Sequence, residues 1–146
     1  MTEQLETILV GFGSIGESLT SDPCMRQHFN AITHAEVLQE LTAFNFVAVV
    51  DPSPEARQKA TRDWNVPHIF ADIKDAVDTI SPDVAILACP PDVRMHCFQE
   101  LRGVRGIILE KPVASNFDDA QAIMDLSRQR QQLVQVNYWR RADENL

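Results

Sequence analysis

A regular alternation between short apolar runs and segments of helical period constrains this chain more than any other feature. The apolar runs lack a polar residue at every second position, which is typical of parallel strands covered on both faces. Strand-to-helix alternation with right-handed crossovers predicts an α/β fold built on a doubly wound parallel sheet. The predicted strands are Thr7–Val10, Phe46–Val50, His68–Phe70 (the weakest), Val84–Ala88, Ile107–Leu109 and Leu133–Val136.

The segments between the strands predict amphipathic helices. Apolar residues recur at helical spacing from Ala56 to Trp64, from Ile73 to Ile80, from Val93 to Leu101 and from Phe117 to Met124. Two of these helices also have recognisable start signals. Ser53 precedes a proline, and Asn116 precedes a first turn that carries two aspartates.

Composition limits the classes of function. The 146 residues suit one domain, and the net charge of −8 argues against binding to nucleic acid. No apolar run approaches the ~20 residues that cross a bilayer, so no membrane partner is expected. The three cysteines have no metal-ligand spacing, so we expect no metal site. Reduced thiols in a cytoplasmic protein explain them most simply.

A glycine-rich loop directly follows the first predicted strand. It has the G-x-G-x-x-G pattern, in which the first glycine allows a tight turn, the second allows a pyrophosphate to approach the backbone, and the third allows close packing of the next helix. A ligand phosphate would then lie on amides at a helix N-terminus. The alternative is a plain tight turn. The predicted cofactor-binding residues of the loop are Gly11, Phe12, Gly13, Ser14, Ile15 and Gly16.

Asp51 ends the second predicted strand, where a dinucleotide fold has its ribose-binding acid. Its carboxylate would accept hydrogen bonds from the ribose hydroxyls and repel a 2′-phosphate, so NAD is preferred as cofactor and NADP remains open. Arg57 lies close enough in sequence to complicate this preference. The alternative reading makes Asp51 a turn residue, because the stretch Asp51–Pro54 is also good turn chemistry.

The first crossover is longer than this fold requires. Asp51 lies 35 residues after Gly16, whereas about 20 is usual. The excess falls in 19–33, which we interpret as an insertion: a lid, a partner surface or an inert segment. A capping box at Thr33–Glu36 predicts a new helix through Leu41. We therefore expect a short helix at Ile15, an extra segment and a second helix.

These motifs together resemble a known family. The glycine loop, Val49-Val50-Asp51, the stretch from Cys89-Pro90-Pro91-Asp92 to His96, and Glu110-Lys111-Pro112 are similar to the N-terminal half of the glucose–fructose oxidoreductase, inositol dehydrogenase and rhizopine-catabolism (Gfo/Idh/MocA) family. The resemblance covers nearly the whole chain, and Glu-Lys-Pro is its most specific element.

The resemblance implies a nicotinamide cofactor and a sugar, cyclitol or related polyol substrate that exchanges hydride with it. It places Lys111 near the nicotinamide and the reacting hydroxyl as the catalytic residue, with Glu110 orienting the turn or the lysine. It also places Cys89 and Pro90 along the nicotinamide side. His96 matches a family histidine in position, but it also falls on an apolar helix stripe, so a packed core histidine is the alternative.

The resemblance also implies how the chain is organised. Residues 1–136 would form the dinucleotide-binding domain, and residues 137–146 would lead toward a substrate domain that this chain does not contain. The expected function is the cofactor domain of an NAD(P)-dependent oxidoreductase acting on CH–OH groups. A stand-alone dinucleotide-binding or sensing module without turnover is the alternative, and a homo-oligomer is left open.

Overall fold

The computed structural model describes residues 4–138. Within this range the chain forms one sheet of six parallel strands in the order β3-β2-β1-β4-β5-β6. The α/β prediction with a doubly wound parallel sheet is confirmed, and every predicted strand is present. The strands are β1 Leu5–Val10, β2 Phe44–Val50, β3 His68–Phe70, β4 Val84–Leu87, β5 Gly106–Leu109 and β6 Leu133–Val136.

The helices begin where the capping residues predict. Ser53 accepts a hydrogen bond from the Ala56 N–H, and Asn116 accepts one from the Asp119 N–H. These side chains satisfy helix N–H groups that would otherwise have no partner. The helices are α1 Pro23–Arg26, α2 His34–Glu40, α3 Pro54–Trp64, α4 Ile73–Ile80, α5 Arg94–Glu100 and α6 Phe117–Gln129, with a 3₁₀ helix at Ser18–Ser21. No helix in residues 4–138 is long and apolar enough to span a membrane.

The central strands are buried on both faces, as their apolar runs predict. Ile8 and Val10 of β1 point into a core that also receives residues of α4, α5 and α6. Leu9 points into a second core, which α2 and α3 cover. Alternate residues of one strand thus enter opposite cores, so a polar residue at either position would lose its contact with water.

The insertion, residues 19–33, lies outside a crossover that otherwise has the usual strand–helix–strand form. The first two amides of α2, those of His34 and Ala35, donate to the carbonyls of Ile15 and Gly16 at 3.1 and 3.0 Å. In space, α2 therefore begins where the glycine loop ends, although many residues separate them in sequence. The capping box is also confirmed, since Thr33 and Glu36 bond each other's backbone N–H. The long interval before Asp51 thus leaves the strand–helix–strand unit intact.

The expected short helix at Ile15 is wrong. Residues 14–17 form turns in which the Glu17 and Ser18 amides both donate to the Gly13 carbonyl. Glu17 then turns into the protein, where it forms an ion pair with Lys59 at 2.6 Å. The 3₁₀ helix Ser18–Ser21 follows, and because Pro23 disfavours helical backbone at the residue before it, the next α-helix begins only at α1.

The strand register brings four loops to one edge of the sheet. Val10 pairs with Val50 on one side and with Leu87 on the other. Leu87 pairs with Leu109, which ends β5. The segments that follow β1, β2, β4 and β5 therefore leave the sheet at the same level. The predicted motifs all lie in these segments, at the edge where open α/β sheets bind ligands.

Candidate functional site

Two neighbouring cavities occupy the carboxyl edge of the sheet. The larger, of about 600 Å³, is bounded by the loops that follow β1, β4 and β5. The smaller, of about 340 Å³, lies toward β3 and shares four lining residues with the larger one: Gly11, Asp51, Cys89 and Pro90. Both volumes fall in the range of about 300–1,000 Å³ that is usual for ligand sites. The shared residues make the two cavities one trough along the edge.

A third cavity, of about 470 Å³, lies at the opposite edge, where residues such as Leu5 and Leu133 begin their strands. Ligands of open parallel sheets bind outside the carboxyl ends of the strands instead. The predicted motifs also line the trough and not this third cavity. The trough is therefore the candidate site.

The three glycines of the loop have different steric roles. Gly11 has φ +92°, and a Cβ there would lie 2.7 Å from the Cys89 nitrogen. A Cβ on Gly16 would overlap the Gly11 carbonyl oxygen. Both glycines are thus required by the fold of the loop. A Cβ on Gly13 would meet nothing within 4 Å, so only Gly13 has open space beside its backbone.

The middle of the loop also leaves backbone donors unused. The amides of Gly13, Ser14 and Ile15 have no acceptor within residues 4–138, and all three residues line the larger cavity. Consecutive free amides form an anion-binding concavity. The predicted helix N-terminus plays no direct part, because the first amides of α2 already bond the loop. The turn itself thus supplies donors that suit a pyrophosphate.

Phe12 takes part through its backbone alone. Its side chain is buried beneath the loop and meets Trp64 edge to face, with ring centroids 6.4 Å apart. The Phe12 amide donates to Asp51 Oδ2 at 2.8 Å. Phe12 was predicted to bind cofactor, but the structure places its ring in the core and only its main chain beside the site.

Asp51 has the turn role, and its position keeps the ribose-binding role available. Its Oδ1 accepts from the Ser53 amide at 2.8 Å, which is turn chemistry, while Oδ2 fastens the glycine loop through Phe12. Asp51 also lines both cavities. Each carboxylate oxygen can accept a further hydrogen bond. The residue therefore has the position and the acceptor capacity for ribose hydroxyls.

Arg57 points toward the turn that carries this aspartate. Its Nη1 donates to the carbonyls of Asp51 and Pro52, at 2.7 and 2.9 Å. The guanidinium thus holds the backbone of the turn that carries Asp51. These two bonds use one nitrogen of the guanidinium.

The loop after β4 forms the wall between the two cavities. Cys89 is buried in that wall, and Pro90 is exposed beside it. His96 is the third residue of α5; it is exposed and lines the smaller cavity. The packed-core alternative for His96 is therefore wrong. His96 instead lies on the Asp51 side of the trough, away from Lys111.

The turn after β5 presents Lys111 to the larger cavity. Its ammonium forms no hydrogen bond or ion pair with any residue from 4 to 138, and its side chain is exposed. The following peptide, Lys111–Pro112, is cis. An unengaged ammonium at the end of a rigid strand is free to meet a ligand oxygen.

The Glu110 carboxylate forms hydrogen bonds with residues of two other parts of the fold. Its Oε1 accepts from His34 Nε2 at 2.8 Å and from Asn137 Nδ2 at 2.6 Å. Burial opposes ionisation of this carboxyl, but the hydrogen bonds from His34 and Asn137 outweigh it, so its pKa lies below the ordinary value. The carboxylate thus joins α2 and the end of β6 to the turn that carries Lys111. It holds the turn and not the lysine side chain.

The sequence agrees with this geometry. The model of an oxidoreductase family with an NAD-binding Rossmann fold, GFO_IDH_MocA, matches residues 5–138. The chain belongs to this family. The described part is thus its NAD-binding domain, with a Rossmann fold, and the resemblance read from the motifs is confirmed. Among curated proteins, no sequence match was found.

Solved structures of several dehydrogenases share the fold. The chain is similar to myo-inositol 2-dehydrogenase from Lactobacillus plantarum, with 18% identity and a TM-score of 0.81 over 97% of this chain and 38% of that one. Scyllo-inositol dehydrogenase from Lactobacillus casei, solved with bound NAD(H) and scyllo-inositol, gives the same values. A dehydrogenase from Clostridium difficile has 20% identity and a TM-score of 0.76, over 95% of this chain and 41% of that one. The chain spans about two fifths of these relatives.

The sequence predicted most of the residues that line the trough. It did not predict three supporting residues, which hold the turn at Glu110 in place. Gly11, Asp51, Cys89 and Lys111 come together as expected, while Gly16 is buried under the loop. The missed residues are His34, Arg94 and Asn137. For Arg94 a signal existed, because a basic residue in the first turn of a helix opposes the helix dipole.

Proposed function

We propose that this chain is the cofactor domain of an NAD-dependent dehydrogenase that acts on a sugar, cyclitol or related polyol. One observation carries the proposal. A single trough holds three unused backbone donors, a carboxylate at the end of β2 and an unengaged ammonium at the end of β5. Along the sheet edge the carboxylate comes first, then the backbone donors after β1, then the ammonium, and this order suits the ribose, the pyrophosphate and the reacting end of a dinucleotide complex.

The residues present fit NAD. The amides of Gly13, Ser14 and Ile15 would hold the pyrophosphate, and the open space beside Gly13 lets it approach. Asp51 would accept the adenosine ribose hydroxyls, and its negative charge disfavours a 2′-phosphate. Cys89 and Pro90 would form the wall along the cofactor, and His96 would flank the Asp51 end. When bound, the nicotinamide supplies the hydride acceptor or donor.

Lys111 would act on the substrate oxygen. Its ammonium can donate a hydrogen bond to the reacting hydroxyl and stabilise negative charge that develops on that oxygen as the C–H bond breaks. In the reverse direction the same group would polarise the carbonyl. The fixed β5 end brings the lysine to the site, and its flexible stem then allows the ammonium to follow the oxygen.

A polyol is the substrate class that the relatives favour. Two similar structures are dehydrogenases of inositols, and one of them was solved with scyllo-inositol. Because the relatives are more than twice as long as this chain, the residues that select the substrate would lie in a further domain. A cytoplasmic location agrees with three free cysteines, Cys24, Cys89 and Cys97. A homo-oligomer remains open.

The test uses the natural gene product. NAD reduction is followed by absorbance with a panel of cyclitols and sugars, and NAD and NADP binding is measured by calorimetry. We expect NAD to bind more tightly than NADP and at least one polyol to be oxidised. Binding without turnover across the panel would favour the dinucleotide-binding module, and failure to bind either cofactor would refute both functions.

Lys111→Ala separates binding from chemistry in the same protein. We expect NAD affinity to change less than about threefold, because backbone and Asp51 contacts hold the cofactor, while kcat falls about 100-fold or more. Lys74→Ala is the matched control, since Lys74 is an exposed residue of α4 that lines neither cavity and pairs with the exposed Asp78 of the same helix. Unchanged turnover in Lys111→Ala would remove this lysine from the mechanism.

A further inference from the structure

Arg94 is a buried cation whose bonding partners are all backbone carbonyls. It is 3% exposed, at the start of α5. Its Nε and Nη2 donate to the Cys89 carbonyl at 3.0 and 2.8 Å, and its Nη1 donates to the carbonyls of Glu110 and Pro112. No carboxylate within residues 4–138 forms an ion pair with it.

Burying the Arg94 guanidinium costs free energy, so we expect the arrangement to have a specific role. Burying a charge without an opposite charge costs several kcal/mol, and charge-assisted hydrogen bonds offset only part of that cost. The guanidinium fork can reach carbonyls in several directions at once, whereas an ammonium is a single point of charge. An apolar residue would fill the same space at lower cost, so packing alone does not explain an arginine here.

The three carbonyls show what the arginine joins. The carbonyl of Cys89 belongs to the loop after β4, which forms the wall between the cavities. The carbonyls of Glu110 and Pro112 lie on either side of Lys111. One side chain thus fixes the backbone before and after this lysine and ties it to the β4 loop. The Glu110 side chain holds the same turn from the opposite direction.

We propose that Arg94 is a positioning residue that sets the place of Lys111 relative to the cofactor wall. Its consequence for turnover rests on the proposed dehydrogenase function, whereas its consequence for the backbone does not. Arg94 also lines the larger cavity, but all three of its nitrogens are engaged by carbonyls. It therefore acts through Lys111 and not by contact with the substrate.

The effect should appear in the rate of the chemical step. A misplacement of about 1 Å can lower a rate about 100-fold. In Arg94→Lys, which keeps the charge but loses the fork, we expect kcat to fall about 30–100-fold, with KM for the polyol and NAD affinity within about threefold. In Arg94→Ala, millimolar guanidinium should restore part of kcat, whereas methylammonium should not. A role in stability alone would not produce this selectivity.

A second measurement is independent of turnover. Hydrogen–deuterium exchange of residues 110–115 is compared in wild type, Arg94→Lys and the control Arg128→Lys, an exposed arginine at the end of α6. We expect faster exchange in this segment for Arg94→Lys alone, while β1 and β2 keep their protection. If the wild-type protein turns over no polyol, the proposed function fails. The exchange measurement still tests whether Arg94 holds the backbone of residues 110–115 in place.

Three results would overturn the proposal. The first is a folded Arg94→Lys protein with wild-type kcat and wild-type exchange at residues 110–115. The second is equal rescue of Arg94→Ala by guanidinium and methylammonium. The third is failure of Arg94→Lys to fold, as judged by circular dichroism and thermal melting, because Arg94 would then serve the fold as a whole.

Discussion

Substituting alanine at two glycines of the same loop should separate folding from cofactor binding. In Gly11→Ala, the new Cβ would lie 2.7 Å from the Cys89 nitrogen on a backbone with φ +92°. A left-handed conformation costs a non-glycine residue about 1–2 kcal/mol, and overpacking adds about 1–3 kcal/mol. We therefore expect a loss of about 2–5 kcal/mol, which corresponds to a fall in Tm of roughly 5–20 °C for a domain of this size.

Gly13→Ala should have the opposite pattern. Its Cβ would meet no protein atom within 4 Å, so stability should stay within about 0.5 kcal/mol of wild type. The methyl group would instead enter the cavity beside the free amides. Loss of one or more hydrogen bonds to a charged phosphate, at about 1.5–3 kcal/mol, predicts NAD binding weaker by about 10–100-fold.

Thermal melting and calorimetric titration with NAD measure both effects on the same samples. Gly103→Ala is the matched control, since its added Cβ also meets nothing within 4 Å and it lies at the opposite edge of the sheet. A Gly13→Ala protein with unchanged Tm and unchanged NAD affinity would refute the assignment of the pyrophosphate to this loop. An unchanged Tm in Gly11→Ala would refute the steric argument for the turn.

Two further predictions concern carboxylates. Asp51→Ala should weaken NAD binding more than NADP binding, measured by titration of both, and an equal effect would leave Asp51 as a turn residue. Glu110→Gln should cost about 1.5 kcal/mol at neutral pH, because the hydrogen bonds from His34 and Asn137 favour the ionised carboxyl. Since the folded pKa is lowered, this difference should be complete above the ordinary pKa of about 4.3 and vanish as the pH falls through the folded value, which urea unfolding at several pH values would show.

The fold could be predicted because the strands that matter are buried on both faces. Ile8, Leu9 and Val10 each enter a core. The apolar run therefore predicts a buried strand even when the residues that pack against it are unknown. Helix starts were equally readable, because a cap bonds an amide only two or three residues away. The wrong helix at Ile15 has the opposite cause. Residues 14–17 instead form turns that bond back to the Gly13 carbonyl, and Glu17 pairs with Lys59 of α3, a contact that the local sequence does not show.

The contacts that the supporting residues make were not predictable for a related reason. Arg94, His34 and Asn137 act on Glu110 or on its turn from three different elements, at sequence distances that only the folded sheet closes. A motif search reads residues that face the ligand. It does not identify residues whose partners are main-chain carbonyls, because every residue has a main-chain carbonyl and the sequence does not show which one is bonded.

These supports also explain why an exposed lysine can have a defined position. Lys111 makes no described side-chain contact of its own, so its place is set by the backbone around it. That backbone is held by Arg94 through carbonyls on both sides and by the Glu110 carboxylate through two further elements. The Lys111 side chain thus keeps most of its rotamer freedom until a substrate binds, while the position of its backbone is fixed. A fixed turn with an exposed ammonium suits the role proposed for Lys111, in which the ammonium follows one oxygen between hydroxyl and carbonyl.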